Sequence, residues 1–173
     1  MRIRSGDVAD VPALMAMFDE AVAWMVARGN TEQWGTEPWS SQPKRVEGIT
    51  KRVEQSDLRI AELDGALVGA LITSDTPQDY VEPVDEPELY VNLLLTSRRY
   101  AGRGIGSQLL SYARSLADEQ GVTLIRVDCY RGGDGSLVRY YERNGFVRTH
   151  AFTVGEWPGQ VLEQRPTPAP VRS

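Results

Sequence analysis

Apolar positions lay out the elements before any single residue suggests chemistry. Val11, Leu14, Met15, Phe18, Ala21, Val22, Met25 and Val26 recur at intervals of three and four, which predicts a helix with one buried face. Asp7 and Asp10 precede it as candidate N-caps, Pro12 suits its first turn, and Gly29 stops it. Ile3 and its neighbours suit a short first strand. Val46, Ile49 and Val53 predict a second helix from Pro43 to about Glu54, interrupted by a helix-weakening Gly48. Leu58–Leu63 and Ala66–Thr73 flank Asp64-Gly65, the signature of a tight hairpin.

A proline-bearing acidic stretch follows between Ser74 and Glu88, and the next apolar run, Val91 to Leu95, ends near Thr96. Ile105, Leu109, Leu110, Ala113, Leu116 and Ala117 give a third helix closed by Gly121. Val122 to Cys129 reads as a buried strand. Residues from about Gly135 to Arg143 read as a short helix stopped by Asn144-Gly145. Phe146–Val154 and Val161–Gln164 read as two last strands. This order predicts a mixed α/β sheet in which only the middle strand–helix–strand unit is a parallel crossover.

At 173 residues one domain is expected, over 1–165, with a proline-rich, disordered tail at 166–173. One cysteine and one histidine argue against a disulfide framework, a metal site or a Ser-His-Asp triad. With 24 acidic residues against 19 Lys and Arg, nucleic acid is a poor fit as main partner. The N-terminus lacks the apolar core of a signal peptide and no apolar run reaches membrane length, so a cytoplasmic protein is expected.

The stretch Tyr90–Leu110 carries the chemistry. A strand runs into Gly102, Gly104 and Gly106, and a helix starts at once. That arrangement aims unpaired N–H groups at a phosphate. No lysine follows as a P-loop requires, and G-x-G-x-G is not the dinucleotide spacing G-x-G-x-x-G. A tight turn chosen for packing, ATP binding and a pyrophosphate cradle of the acyl-CoA type remain open on the glycines alone.

The segment resembles the coenzyme A motif of the GNAT superfamily of acyl-CoA-dependent N-acyltransferases, [QR]-x-x-G-x-[GA]. Gly104 and Gly106 take the two small-residue positions, Ile105 is the usual apolar residue, and Ala101 stands where Gln or Arg is expected. A second likeness is Tyr140-Tyr141-Glu142-Arg143-Asn144-Gly145-Phe146, similar to the family's late Y-x-x-x-G-F signature. The resemblance implies a mixed, mostly antiparallel central sheet of six to seven strands flanked by about four helices. It also implies acetyl-CoA as co-substrate, with no metal. The reaction it implies is direct attack of an amine on the thioester, with a homodimer common in the family.

Site residues follow from the same resemblance. Backbone groups at Leu94, Leu95 and Thr96 would hold pantetheine where the fourth strand splays. Gly102, Arg103, Gly104, Ile105, Gly106 and Ser107 would take the pyrophosphate, and Asp134 stands where many members carry a cofactor-contacting Asn. Tyr141 would protonate the leaving thiolate. Glu88 and Asp128 are the candidate general bases, the alternative for Asp128 being structural hydrogen bonding. Cys129 and His150 read as ordinary strand residues. Trp34 and Trp39 either wall the acceptor pocket or pack their loop onto the core. A small-molecule amine is favoured over a protein acceptor. Ala101 leaves open a second class of function, a CoA-binding sensor without turnover.

Overall fold

A computed structural model describes residues Met1–Thr167; the last six residues of the expected disordered tail, 168–173, lie outside it. Seven strands and four α-helices follow in the order β1 (Arg2–Ser5), α1 (Val11–Ala27), α2 (Pro43–Gln55), β2 (Asp57–Leu63), β3 (Ala66–Ser74), β4 (Leu89–Thr96), α3 (Ile105–Glu119), β5 (Ile125–Tyr130), α4 (Ser136–Arg143), β6 (Val147–Val154) and β7 (Trp157–Gln164). The strand order is β1-β2-β3-β4-β5-β7-β6. The β4–β5 ladder is parallel, and the β1–β2, β2–β3, β5–β7 and β6–β7 ladders are antiparallel. The fold is the mixed, mostly antiparallel α/β sheet expected from the sequence.

The chain divides into two compact units. The first comprises Met1–Ser74 and Asn92–Leu109. Its entry to α1 is built locally: Asp7 accepts from Ala9 N at 2.8 Å while Asp10 accepts from Asp7 N at 3.0 Å, a reciprocal capping box. At the other end, Gly29 N donates to Val26 O and Asn30 N to Met25 O, the paired bonds of a Schellman stop. Leu14, Phe18, Val22 and Met25 of α1 bury against Leu58, Ile60, Ala70, Ile72 and Leu95. The β2–β3 hairpin turns on Asp64 and Gly65, at φ of 52° and 80°. Its register slips between Ala61 and Glu62, so Val68 bulges between partners Leu67 and Gly69.

The second unit comprises Asp75–Val91 and the residues from Leu110 onward. Leu89–Val91 pair with Ile125–Val127, and β5 continues against β7, which pairs in turn with β6. Val81, Tyr90 and Val161 pack together with Phe152. Two boundaries here differ from the sequence reading. β5 starts at Ile125 rather than Val122, because the Val122 amide closes α3 by donating to Ala117 O at 2.8 Å. β7 starts at Trp157 rather than Val161. The strand runs through Pro158 and Gly159: Gly159 pairs with both Tyr130 and Phe152, and a Cβ there would fall 2.2 Å from the Phe152 ring. The ring takes the place that a side chain at 159 would need.

Candidate active site

In the first unit, the glycine segment leaves β4 through Ser97, whose N–H donates to Val68 O at 2.8 Å, on the β3 bulge. A 3₁₀ turn, Arg98–Tyr100, follows. Gly102 and Gly104 adopt φ of 80° and 69°, left-handed values that glycine reaches without Cβ strain. The Gly104 carbonyl accepts the first α3 bond, from Gln108 N at 3.0 Å. The Ile105, Gly106 and Ser107 amides therefore sit in the first turn, where a helix has no internal acceptors for them. They add to the positive end of a fifteen-residue helix. Ala101, Gly102, Arg103, Gly104 and Ser107 are exposed, whereas Ile105 and Gly106 are buried.

Two residues that the sequence reading did not single out set this geometry. Gly69 of β3 lies beneath the start of α3: a Cβ there would meet Ile105 Cγ2 at 2.9 Å, Leu109 Cδ1 at 3.0 Å and the Leu95 carbonyl at 3.3 Å. The helix reaches its depth because position 69 has no side chain. Glu20 of α1 accepts from Ser97 Oγ at 2.9 Å, from Arg98 N, and from Arg99 N at 3.2 Å. Its other oxygen lies 3.4 Å from Arg99 Nε. A lone glycine in an apolar strand and a glutamate on a helix carry no motif, so only spacing in three dimensions identifies them.

Leu94, Leu95 and Thr96 form the last residues of β4. They take no part in the ladder with β5, which covers Leu89–Val91. Trp34 and Trp39 pack with Phe18: Phe18 stacks on Trp39 at 4.4 Å and 14°, and Trp39 Nε1 donates to Trp34 O at 3.0 Å. The Arg45 guanidinium lies 4.2 Å from the centroid of the Trp39 ring. Phe18 and Arg45 thus both pack against the Trp39 ring. Trp39 is a buried core residue, and Trp34 is half-buried beside it.

The second unit gathers the titratable candidates. Tyr141 on α4 is buried. The helix ends in another Schellman pair, with Gly145 N donating to Glu142 O and Phe146 N to Tyr141 O. The Phe146 ring meets Tyr141 edge-on at 5.7 Å and 84°, the apolar contact that accompanies such stops. Arg114 reaches the exposed end of this helix at Asn144 O, 3.5 Å away. Burial, then the neighbouring Cys129, Tyr140 and Asp128, hold the Tyr141 phenol well above its ordinary pKa, so it stays protonated. Asp134 accepts from Ser136 N at 2.9 Å and so fastens the start of α4. Hydrogen bonding from the Ser136 side chain, then from its amide, holds the Asp134 carboxyl below the usual range.

The two carboxylates proposed as bases meet opposite surroundings. Glu88 is gripped by Arg126 through bonds of 2.6 and 2.9 Å, both side chains almost wholly buried. Arg126 also donates to Glu82 O at 3.1 Å. Asp128, on β5, accepts from Tyr90 Oη at 2.5 Å and from the exposed Tyr80 Oη at 3.2 Å. Burial raises its pKa, and the two phenol bonds oppose that rise only in part. Cys129 is buried, and burial pushes its thiol up to about 12, which keeps it unreactive. His150 lies on exposed β6. No group of three potential metal-ligating side chains occurs among the described residues. None of the described helices is long and apolar enough to cross a membrane.

The chain is similar to the N-acetyltransferase YesJ of Bacillus subtilis, with 26% identity over 157 residues, covering 84% of this chain and 87% of that one. Its fold matches a GNAT-family acetyltransferase from Listeria monocytogenes with a TM-score of 0.72, at 22% identity and 95% and 94% coverage of the two chains. It also matches the PaiA N-acetyltransferase of Thermoplasma acidophilum, solved in complex with coenzyme A, with a TM-score of 0.69, 20% identity and 95% and 98% coverage. The sequence model described as "Acetyltransferase (GNAT) family" matches residues 17–146, from α1 to the Phe146 that follows α4. The chain therefore belongs to the acetyltransferase (GNAT) family and is an acyltransferase.

Proposed function

We propose that this protein transfers an acetyl group from acetyl-CoA to the primary amine of a small molecule, within one domain spanning 1–165. The observation that carries the reading is the exposed glycine turn leading into the three open amides of Ile105, Gly106 and Ser107. Backbone donors at a helix N-terminus suit a pyrophosphate. They also explain how an alanine at 101 is tolerated, since its backbone donors need no particular side chain. The cofactor-bound relative from Thermoplasma supports the same ligand.

The amine nitrogen attacks the thioester carbon, the carbon–sulfur bond breaks, and the thiolate takes the Tyr141 proton. Asp128 receives the proton that the nitrogen loses as it becomes an amide, that proton leaves to solvent, and solvent restores the proton that Tyr141 gave to the thiolate. A carboxylate with a raised pKa is a stronger base than an ordinary aspartate. Its bond to Tyr80, which is exposed, offers that proton a route toward solvent. Glu88 is the less available group on this reading, because its carboxylate is tied to the buried Arg126 cation, whereas Asp128 meets neutral phenols. Tyr141 and Asp128 lie within electrostatic range of one another, as an acid and base serving one reaction would.

The experiment is a thiol-release assay with acetyl-CoA over a panel of small amines, beside calorimetry of CoA binding. Saturable binding with turnover of at least one amine is expected. Binding without turnover across a broad panel would favour a CoA sensor, the reading that Ala101 leaves open. Equal competition by ATP would overturn coenzyme A as the ligand.

A further inference from the structure

We propose that Glu20 is a positioning residue for the acyl-CoA site, acting as a fixed internal anion that sets where the glycine loop begins. The inference rests on the glycine loop as the CoA cradle and adds a residue from α1, far away in sequence.

The 3₁₀ turn Arg98–Tyr100 begins at Ser97, whose own side chain makes no capping bond to the turn. Its first amides need an acceptor from elsewhere. Glu20, 77 to 79 residues away in sequence, supplies it to Ser97 Oγ, Arg98 N and Arg99 N. A carboxylate accepting several donors at one point fixes a segment more firmly than a neutral partner. One turn further along α1, Trp24 carries the Arg98 guanidinium at 3.6 Å from its ring centroid. Residues 97–99 are thus held through backbone and side chain by one face of one helix. Ala101 N donates to Arg98 O at 3.3 Å, so that anchored turn passes directly into Gly102.

The consequence is a division of donors. Glu20 consumes the amides before the loop, and the amides within the loop and the first turn of α3 stay open for a second anion. Without Glu20, the Arg98 and Arg99 amides become free and the loop loses its upstream anchor. The pyrophosphate then meets a mobile donor set. Acyl-CoA affinity falls, while groups in the other unit that handle protons keep their environment.

The test is calorimetry of CoA binding and steady-state kinetics on Glu20→Ala, Glu20→Gln, Ser97→Ala and Arg4→Met. The last is a stability control, because it removes the Asp10 and Glu62 ion pairs of Arg4 without touching the loop. Glu20→Ala is expected to raise the CoA Kd about tenfold or more, with kcat and the amine KM within about threefold, since misplaced binding groups act on the step they serve. Glu20→Gln keeps an acceptor oxygen but no charge, and recovers only part of the affinity lost in Glu20→Ala. Ser97→Ala, which removes one donor and leaves α1 intact, weakens binding about threefold. Wild-type Kd in both Glu20→Ala and Ser97→Ala overturns the proposal. So does an equal loss in Arg4→Met, or failure of Glu20→Gln to recover affinity. If Glu20→Ala does not fold, Ser97→Ala and Glu20→Gln decide. Absence of CoA binding in the wild-type protein overturns instead the glycine-loop reading beneath it.

Discussion

One added methyl group at position 69 tests how tightly α3 is set against β3. In Gly69→Ala the new carbon falls 2.9 Å from Ile105 Cγ2, 3.0 Å from Leu109 Cδ1 and 3.3 Å from the Leu95 carbonyl. Neither apolar side chain has room to retreat, with Ile105 at 4% and Leu109 at 0% exposure. The carbonyl belongs to a strand. The first turn of α3 must therefore lift by a few tenths of an ångström. Overpacking of this kind costs about 1–3 kcal/mol, which for a chain this size lowers Tm by about 2–12 °C. That turn carries the open amides of residues 105–107, so the CoA Kd rises together with the fall in Tm. Thermal melting and calorimetry on the same sample read both. Ile105→Ala removes the nearest methyl. In that background the cost of Gly69→Ala should shrink, with a coupling of about 0.5–3 kcal/mol. A Gly69→Ala variant with wild-type Tm and wild-type Kd would refute the claim that close approach at Gly69 positions the cradle.

Tyr141→Phe should lower kcat by about 10²–10⁴-fold, the usual range for a lost general acid, with CoA Kd within about twofold; an unchanged kcat removes Tyr141 from the proton transfer. Asp128→Asn keeps an acceptor oxygen for one phenol, turns an amide donor toward the oxygen of the other and removes a buried charge, so Tm should hold or rise while kcat/KM falls. A base must be ionised, and burial raises the Asp128 pKa, so activity should climb with pH over a limb lying above the ordinary aspartate value and should lose that limb in the variant. Glu88→Gln leaves Arg126 buried without its counter-charge, which costs about 3–5 kcal/mol. A large Tm loss with turnover retained by the folded fraction is expected, and the reverse pattern would make Glu88 the base.

Features whose signal is local were legible in the sequence. The α1 face, the Asp-Gly hairpin and the three glycine-stopped helices each depend on residues within a few positions of one another. The structure reproduces them to within a residue or two. The glycine turn was legible for the same reason: the φ values and open amides that define it are properties of consecutive residues. What the sequence hid is what crosses between elements. The roles of Gly69 and Glu20 come from contacts with α3 and with the turn after β4, and neither residue has a distinctive neighbourhood of its own. Trp34 and Trp39 showed the converse. Aromatic residues in a loop suggested either a pocket wall or a loop packed onto the core, and composition could not show that Phe18 and Arg45 lie against Trp39.

Glu88 and Asp128 illustrate why residue type alone underdetermines a catalytic role. Glu88 immediately precedes β4 and Asp128 lies on its parallel neighbour β5, and the sequence offered both as candidate bases, with structural hydrogen bonding as the alternative for Asp128. Their difference lies in the partner each meets. Arg126 meets Glu88 with a full positive charge in bidentate form, both side chains buried, so Glu88 serves as the structural counter-charge of that cation. Asp128 meets two neutral phenols, which can donate to it when ionised and whose oxygens can accept from it when protonated. Burial without a full counter-charge brings its two protonation states closer in energy. A group that must gain and lose a proton in each turnover needs that balance. Substituting Arg126 rather than either acid would then separate stability from chemistry: Arg126→Met should destabilise through Glu88, and among the neighbours of Asp128 it removes a cation that favours its charged form. The pH limb assigned to Asp128 should shift upward in Arg126→Met, and a limb that stays in place would break the link between that carboxylate and the rate.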